Sequence, residues 1–182
     1  MKHIASGLSG ILLSAGASLV FSQPPPLRTV APVAATAALH FNDLAEVYRY
    51  IVQTRGLGKA DDEALVRALV ADSKVEQVRD SSGAPLTVIR ADLVAGGTSR
   101  LASAQGNYPY YVLRQNAEGI TLLGTMFGDG YATSRMDGHL QFTMRLRMAA
   151  GQVRQMRFQV RGEALVNLTP LKTERAPYIA VA

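Results

Sequence analysis

Residues 139–161 read HLQFTMRLRMAAGQVRQMRFQVR, and the parity of this stretch decides the fold class. Even positions 140 to 148 are Leu140, Phe142, Met144, Leu146 and Met148, while the odd ones are His139, Gln141, Thr143, Arg145 and Arg147. After Ala150-Gly151, Met156, Phe158 and Val160 alternate with Gln155, Arg157, Gln159 and Arg161. Side chains of a strand point to opposite faces in turn, so the stretch is a β-hairpin with one face on a core and one polar face. With the loop at Ala150-Gly151-Gln152, Arg145 is expected opposite Arg157, Arg147 opposite Gln155, and Gln141 opposite Arg161.

Upstream the same period continues. Residues 75–79 and 86–93 flank the turn cluster Asp80-Ser81-Ser82-Gly83-Ala84-Pro85. Residues 110–115 and 120–127 flank Asn116-Ala117-Glu118-Gly119, and a weaker strand is expected at 99–104 after Gly96-Gly97. Gly128-Asp129-Gly130 and Asp137-Gly138 bracket a short segment from Tyr131, and residues 164–168 add a last strand.

Ahead of the strands the period is helical. Leu44, Val47, Tyr48, Ile51 and Val52 form one stripe within residues 41–55, with Asn42 as the expected cap. Asp61, Asp62 and Glu63 load the start of a second helix, whose buried face is Leu65, Val66, Leu69 and Val70. Gly56-Leu57-Gly58 joins the two as a helical hairpin. Helices segregated ahead of successive hairpins define an α+β fold: an N-terminal helical hairpin packed on a curved antiparallel sheet. A membrane barrel is set aside, because most of these strands are shorter than a barrel strand and follow two amphipathic helices.

The ends read differently. Met1, Lys2 and His3 precede residues 4–21, which carry no charge, and Val20 and Ser22 are small residues placed for cleavage after Ser22. This is the pattern of a secretory signal peptide, with Ala17 as an earlier cleavage point. Pro24, Pro25, Pro26 and Pro32 make residues 23–39 a flexible leader, residues 40–168 a single domain and residues 169–182, with Pro170 and Pro177, a tail. The expected place is the bacterial periplasm or the medium, with no transmembrane helix after cleavage.

Composition excludes much chemistry. The chain of 182 residues has no Cys and no Trp, which removes disulfides, thiolate metal sites and cysteine nucleophiles. Only His40 and His139 follow the signal, neither in a ligand spacing, so no metal and no cofactor is expected. Asp129 and Asp137 lack the ligand run of a calcium loop and read as turn residues. No Gly-x-Ser-x-Gly elbow or Ser-x-x-Lys motif is present, and no catalytic residue is assigned.

What stands out is charge. The formal net charge is +5, and residues 131–162 hold six arginines against one acid, Asp137. Arg145, Arg147, Arg157 and Arg161 on one sheet face are the expected contacts for an anionic polymer, a lipid headgroup or an acidic protein. The plain alternative is a solvated sheet face whose charges deter edge pairing. Nucleic acid is disfavoured, because both aromatics of this hairpin, Phe142 and Phe158, lie on its apolar side. Whichever of Tyr110 and Tyr111 faces outward is a candidate aromatic contact. Two further readings are a carrier of a small apolar ligand between the helices and the Met-lined face, and a hydrolase with dispersed carboxylates.

Overall fold

The computed structural model describes residues 38–169. The expected signal peptide, most of the expected leader and nearly all of the expected tail lie outside the described residues. The chain runs β1 (Leu39–Phe41), α1 (Leu44–Thr54), α2 (Glu63–Asp72), β2 (Lys74–Arg79), β3 (Pro85–Arg90), β4 (Val94–Ala95) and β5 (Thr98–Ser99). It continues β6 (Tyr108–Asn116), β7 (Gly119–Gly128), β8 (Gly130–Met136), β9 (His139–Arg147), β10 (Val153–Arg161) and β11 (Ala164–Asn167). Two helices with mostly antiparallel sheet make the α+β class.

Local chemistry sets the helix starts. Asp43 is the N-cap of α1 and accepts from the Glu46 N–H at 2.9 Å. Glu46 reaches back to the Asn42 N–H and its Nδ2, both at 2.8 Å. Asn42, expected as the cap, is therefore the residue before it and donates where a capping box returns its second bond. Asp62 caps α2 through the Ala64 and Leu65 N–H groups, each at 3.1 Å.

The strands divide between two main sheets. The first has the order β1-β7-β6-β3-β2 and the second β11-β10-β9-β8, with β4 and β5 as a separate short hairpin. Val47, Ile51 and Val52 of α1 and Leu69 of α2 form one buried cluster with Ile89, Tyr111, Leu113 and Leu122 from one face of the first sheet. Its other face contributes Leu86, Val88, Tyr110, Val112, Leu123 and Met126 to a second cluster, completed by Leu140, Phe142, Met144, Phe158 and Val160 of the second sheet. The layers are thus helices, sheet, sheet.

Gly128 and Asp129 carry the chain from the first sheet to the second. A Cβ on Gly128 would collide with the Arg145 carbonyl oxygen and the Met144 sulfur, so this crossing admits only glycine without rearrangement. In β7 the register shifts between Val112 and Leu113 of β6, leaving Leu123 as an extra residue on the intersheet face. Cross-sheet polar bonds add to the packing. Tyr131 donates to Glu76 at 2.5 Å, Arg135 to the Asp80 carbonyl at 3.3 Å, and Arg114 to the Gly162 carbonyl at 2.9 Å.

Three further expectations change. The last hairpin turns at Ala149–Gly151, with Ala150 and Gly151 at φ 57° and 74° and Met148 donating to the Gln152 carbonyl at 2.8 Å. Arg145 therefore faces Gln155, Arg147 faces Val153 and Arg157 faces Thr143. The cause is Ala150, a non-glycine residue in the left-handed region that no sequence rule flags. The strand expected over residues 99–104 shrinks to Thr98–Ser99, because the Ser99 hydroxyl turns to the buried Asp92 carboxylate and caps the Leu101 and Ala102 N–H groups. Leu39, read as the end of the leader, already pairs with Leu122 in β1.

Candidate functional site

The second sheet turns its polar face outward, and the alternation of β9 and β10 places Arg145, Arg147, Arg157 and Arg161 there, all exposed. Arg145 and Arg147 converge on one carboxylate. Asp129 accepts from the Arg145 Nε at 2.7 Å and from the Arg147 Nε at 2.5 Å, while its own N–H donates to the Arg145 carbonyl at 2.8 Å. The Asp129 side chain is 4% exposed, against 59% and 57% for the two arginines. The hydrogen bond from Arg145 is the main reason that the Asp129 carboxyl is held below the usual carboxylate range; burial opposes it and Arg147 adds to it. Both guanidiniums use only Nε, and their Nη groups make no hydrogen bond among the described residues.

A buried amide fixes the end of β9. The Asn107 Nδ2 donates to the Arg147 carbonyl and its Oδ1 accepts from the Arg147 N–H, both at 2.8 Å. This side chain stands in for a strand neighbour and sets where Arg147 leaves the sheet. A groove of about 680 Å³ opens beside it, lined by Gln105, Asp129, Arg145, Arg147, Val153 and the turn. Replacing Asn107 with Ala leaves two backbone groups of Arg147 without their partner in a half-buried place, at a cost of about 1–2 kcal/mol. The urea midpoint should fall accordingly, and an unchanged midpoint would remove Asn107 from this role.

Arg157 sits diagonally across from Arg145, since β10 pairs Gln155 with Arg145 and Arg157 with Thr143. Such diagonal neighbours are about 7–8 Å apart, close enough to share one anion through long side chains. Arg161 stands apart. Between it and the other three lie Gln141 and Gln159, paired in register and both buried. Gln159 accepts from the Arg161 Nε at 2.6 Å and donates to the Met136 carbonyl at 3.1 Å, which turns the Arg161 head along its own strand.

The tyrosines lie elsewhere. Both are buried, because the first sheet is covered on both faces and alternation leaves neither side of β6 open. Tyr110 packs edge-on against Tyr131 at 5.6 Å in the intersheet core. Tyr111 accepts from the Arg55 Nε at 2.8 Å beneath α1. Burial raises the pKa of both hydroxyls.

Sequence reasoning does not mark Asp129 or Asn107 as site residues. Gly128-Asp129-Gly130 reads as turn chemistry, and the signal that could have marked Asp129 is an acid followed by two arginines of equal parity on the next hairpin. The Met-lined face expected toward the helices instead faces the other sheet: Met126 and Met144 are buried in the intersheet cluster and Met156 packs against it. Among the described residues no group of three or more His, Asp or Glu is placed to hold a metal ion, and no helix is long and apolar enough to cross a membrane. No protein-family model, curated protein or solved structure matches this chain.

Proposed function

We propose that the chain is an exported, non-catalytic binding domain. Two helices back the first antiparallel sheet, and the second sheet, packed on its other face, presents Arg145, Arg147 and Arg157, with Arg161 at the rim, to an anionic partner. The observation that carries this reading is the charge imbalance. Two exposed guanidiniums share one enclosed carboxylate and a third stands diagonal to them, so the face keeps positive charge and free, planar donors suited to carboxylate or phosphate oxygens. Export rests on the signal-like character of residues 1–22, and a bacterial periplasm or the medium is the place proposed.

The carrier reading has less support, because the helix–sheet interface is filled by Val47, Ile51, Leu69, Tyr111 and their neighbours. The hydrolase reading needs a carboxyl with a raised pKa as acid, whereas the enclosed Asp80 and Asp129 are both lowered.

Dextran sulfate binding measured by titration calorimetry tests the proposal. Arg145→Gln with Arg157→Gln should weaken it about tenfold or more, since each lost charge-assisted contact contributes on the order of 1 kcal/mol. Asp129→Asn, which removes the competing carboxylate, should strengthen it severalfold. Equal affinity for the double variant and the natural chain would overturn the reading.

A further inference from the structure

The turn between β9 and β10 is unlike the rest of the Arg-bearing face. Residues 148–153, Met-Ala-Ala-Gly-Gln-Val, carry no charge and every one of them is exposed. Met148 is 42% exposed and Val153 56%, both large apolar side chains held out at a hairpin tip. A polyanion or an acidic protein gains nothing from such a tip, and water disfavours it. A lipid surface accounts for both features at once: apolar groups that enter the boundary between headgroups and acyl chains, and cations behind them at the level of the phosphates.

We propose that the β9–β10 tip docks this domain on a membrane surface rich in anionic lipid. Met148, Ala149, Ala150 and Val153 enter the interface, and the Nη groups of Arg145 and Arg147 take lipid phosphates. The inference rests on the anion-binding reading of the same arginines and names its partner. The geometry agrees in scale. Arg147 and Arg145 are one and three residues behind Met148 on an extended strand, which sets them roughly 3–10 Å behind the tip, and interfacial elements bury their apolar face about 5–10 Å deep. Asp129 bonds both guanidiniums through Nε alone, which leaves their terminal nitrogens to the groove.

The chain has no cysteine, so one can be introduced as the sole labelling site. Gln152→Cys carrying an environment-sensitive fluorophore should shift to the blue on vesicles of phosphatidylcholine mixed with phosphatidylglycerol, and stay unshifted on phosphatidylcholine alone. A label at Glu163→Cys, in the turn at the far end of β10, should stay unshifted on both. Added to the Gln152→Cys chain, Met148→Asp with Val153→Asp should abolish the shift, and Arg145→Gln with Arg147→Gln should raise the lipid concentration needed on the order of tenfold. A shift caused by lipid elsewhere on the chain would survive Met148→Asp with Val153→Asp, and a shift caused by the tip would not. No shift at the tip, an equal shift on neutral vesicles, or an equal shift at the position 163 label would each overturn the proposal. If dextran sulfate still binds in that case, the anion-binding reading survives and only the lipid partner is wrong; if it does not, both fall.

Discussion

Phe142→Ala should lower the stability of the domain by about 4 kcal/mol, among the largest losses available from one substitution. The ring is fully buried, faces Phe158 across β9 and β10, and meets Tyr131 edge-on with centroids 5.4 Å apart. It lies between the sheets at the point where β8, β9 and β10 turn their apolar sides toward Val88, Tyr110 and Val112. Truncation leaves a cavity lined by rings and strand backbone that cannot close in, so the cavity cost adds to the lost transfer free energy. The thermal midpoint should drop by roughly 10–20 °C. Phe142→Leu keeps most of the volume and should cost under about 1.5 kcal/mol. A loss below about 1 kcal/mol for the alanine variant would mean that the two sheets do not share this core. Fluorescence of the tip label in the still-folded fraction should respond to lipid as before, because the ring belongs to the intersheet core and does not line the groove.

How much of this was legible in sequence depends on how many faces of a strand are covered. The last hairpin announced itself because only one side of β9 and β10 packs on apolar neighbours, and the alternation of Phe142, Met144, Arg145 and Arg147 survives in the structure. The same test failed at β6. Tyr110 and Tyr111 lie in a run with both faces buried, so parity separates two cores and not core from water. The hairpin register slipped for a different reason: Ala150 adopts a left-handed conformation that sequence rules reserve for Gly or Asn, and moving the turn changes every cross-strand partner.

The site was half legible. Its arginines could be read from charge and parity, but their common partner could not. Asp129 sits sixteen and eighteen residues before Arg145 and Arg147, and the β8–β9 hairpin together with the Gly128 crossing brings them into contact. Asp80 teaches the same lesson. A turn aspartate has a sufficient local explanation, and that explanation hides a second, nonlocal duty.

That second duty makes Asp80→Ala the other large effect, about 3 kcal/mol at neutral pH. One carboxylate oxygen accepts from the Ser82 N–H at 2.9 Å, the Ser82 hydroxyl at 2.6 Å and the Ala84 N–H at 3.0 Å, which closes the β2–β3 turn. The other accepts from Arg114 of β6 at 3.1 Å. Removing the side chain strands three donors and a guanidinium at once, and the partial exposure of Arg114 lets water soften the loss toward the lower end of the range for enclosed ion pairs. The pH dependence identifies the cause. Burial alone would raise the carboxyl pKa, but the Ser82 hydroxyl, the two N–H groups and Arg114 outweigh it, and the group titrates below the usual range. A carboxyl depressed in the folded state stabilises it fully above its unfolded pKa, about 3.9, and the contribution disappears as pH falls through the lower folded value. The gap between the natural chain and Asp80→Ala should therefore be widest near pH 7 and shrink below about pH 4 as the natural chain loses its advantage. Urea midpoints at neutral and acid pH measure it directly. A gap of the same size at both would mean that Asp80 acts through shape and not through charge.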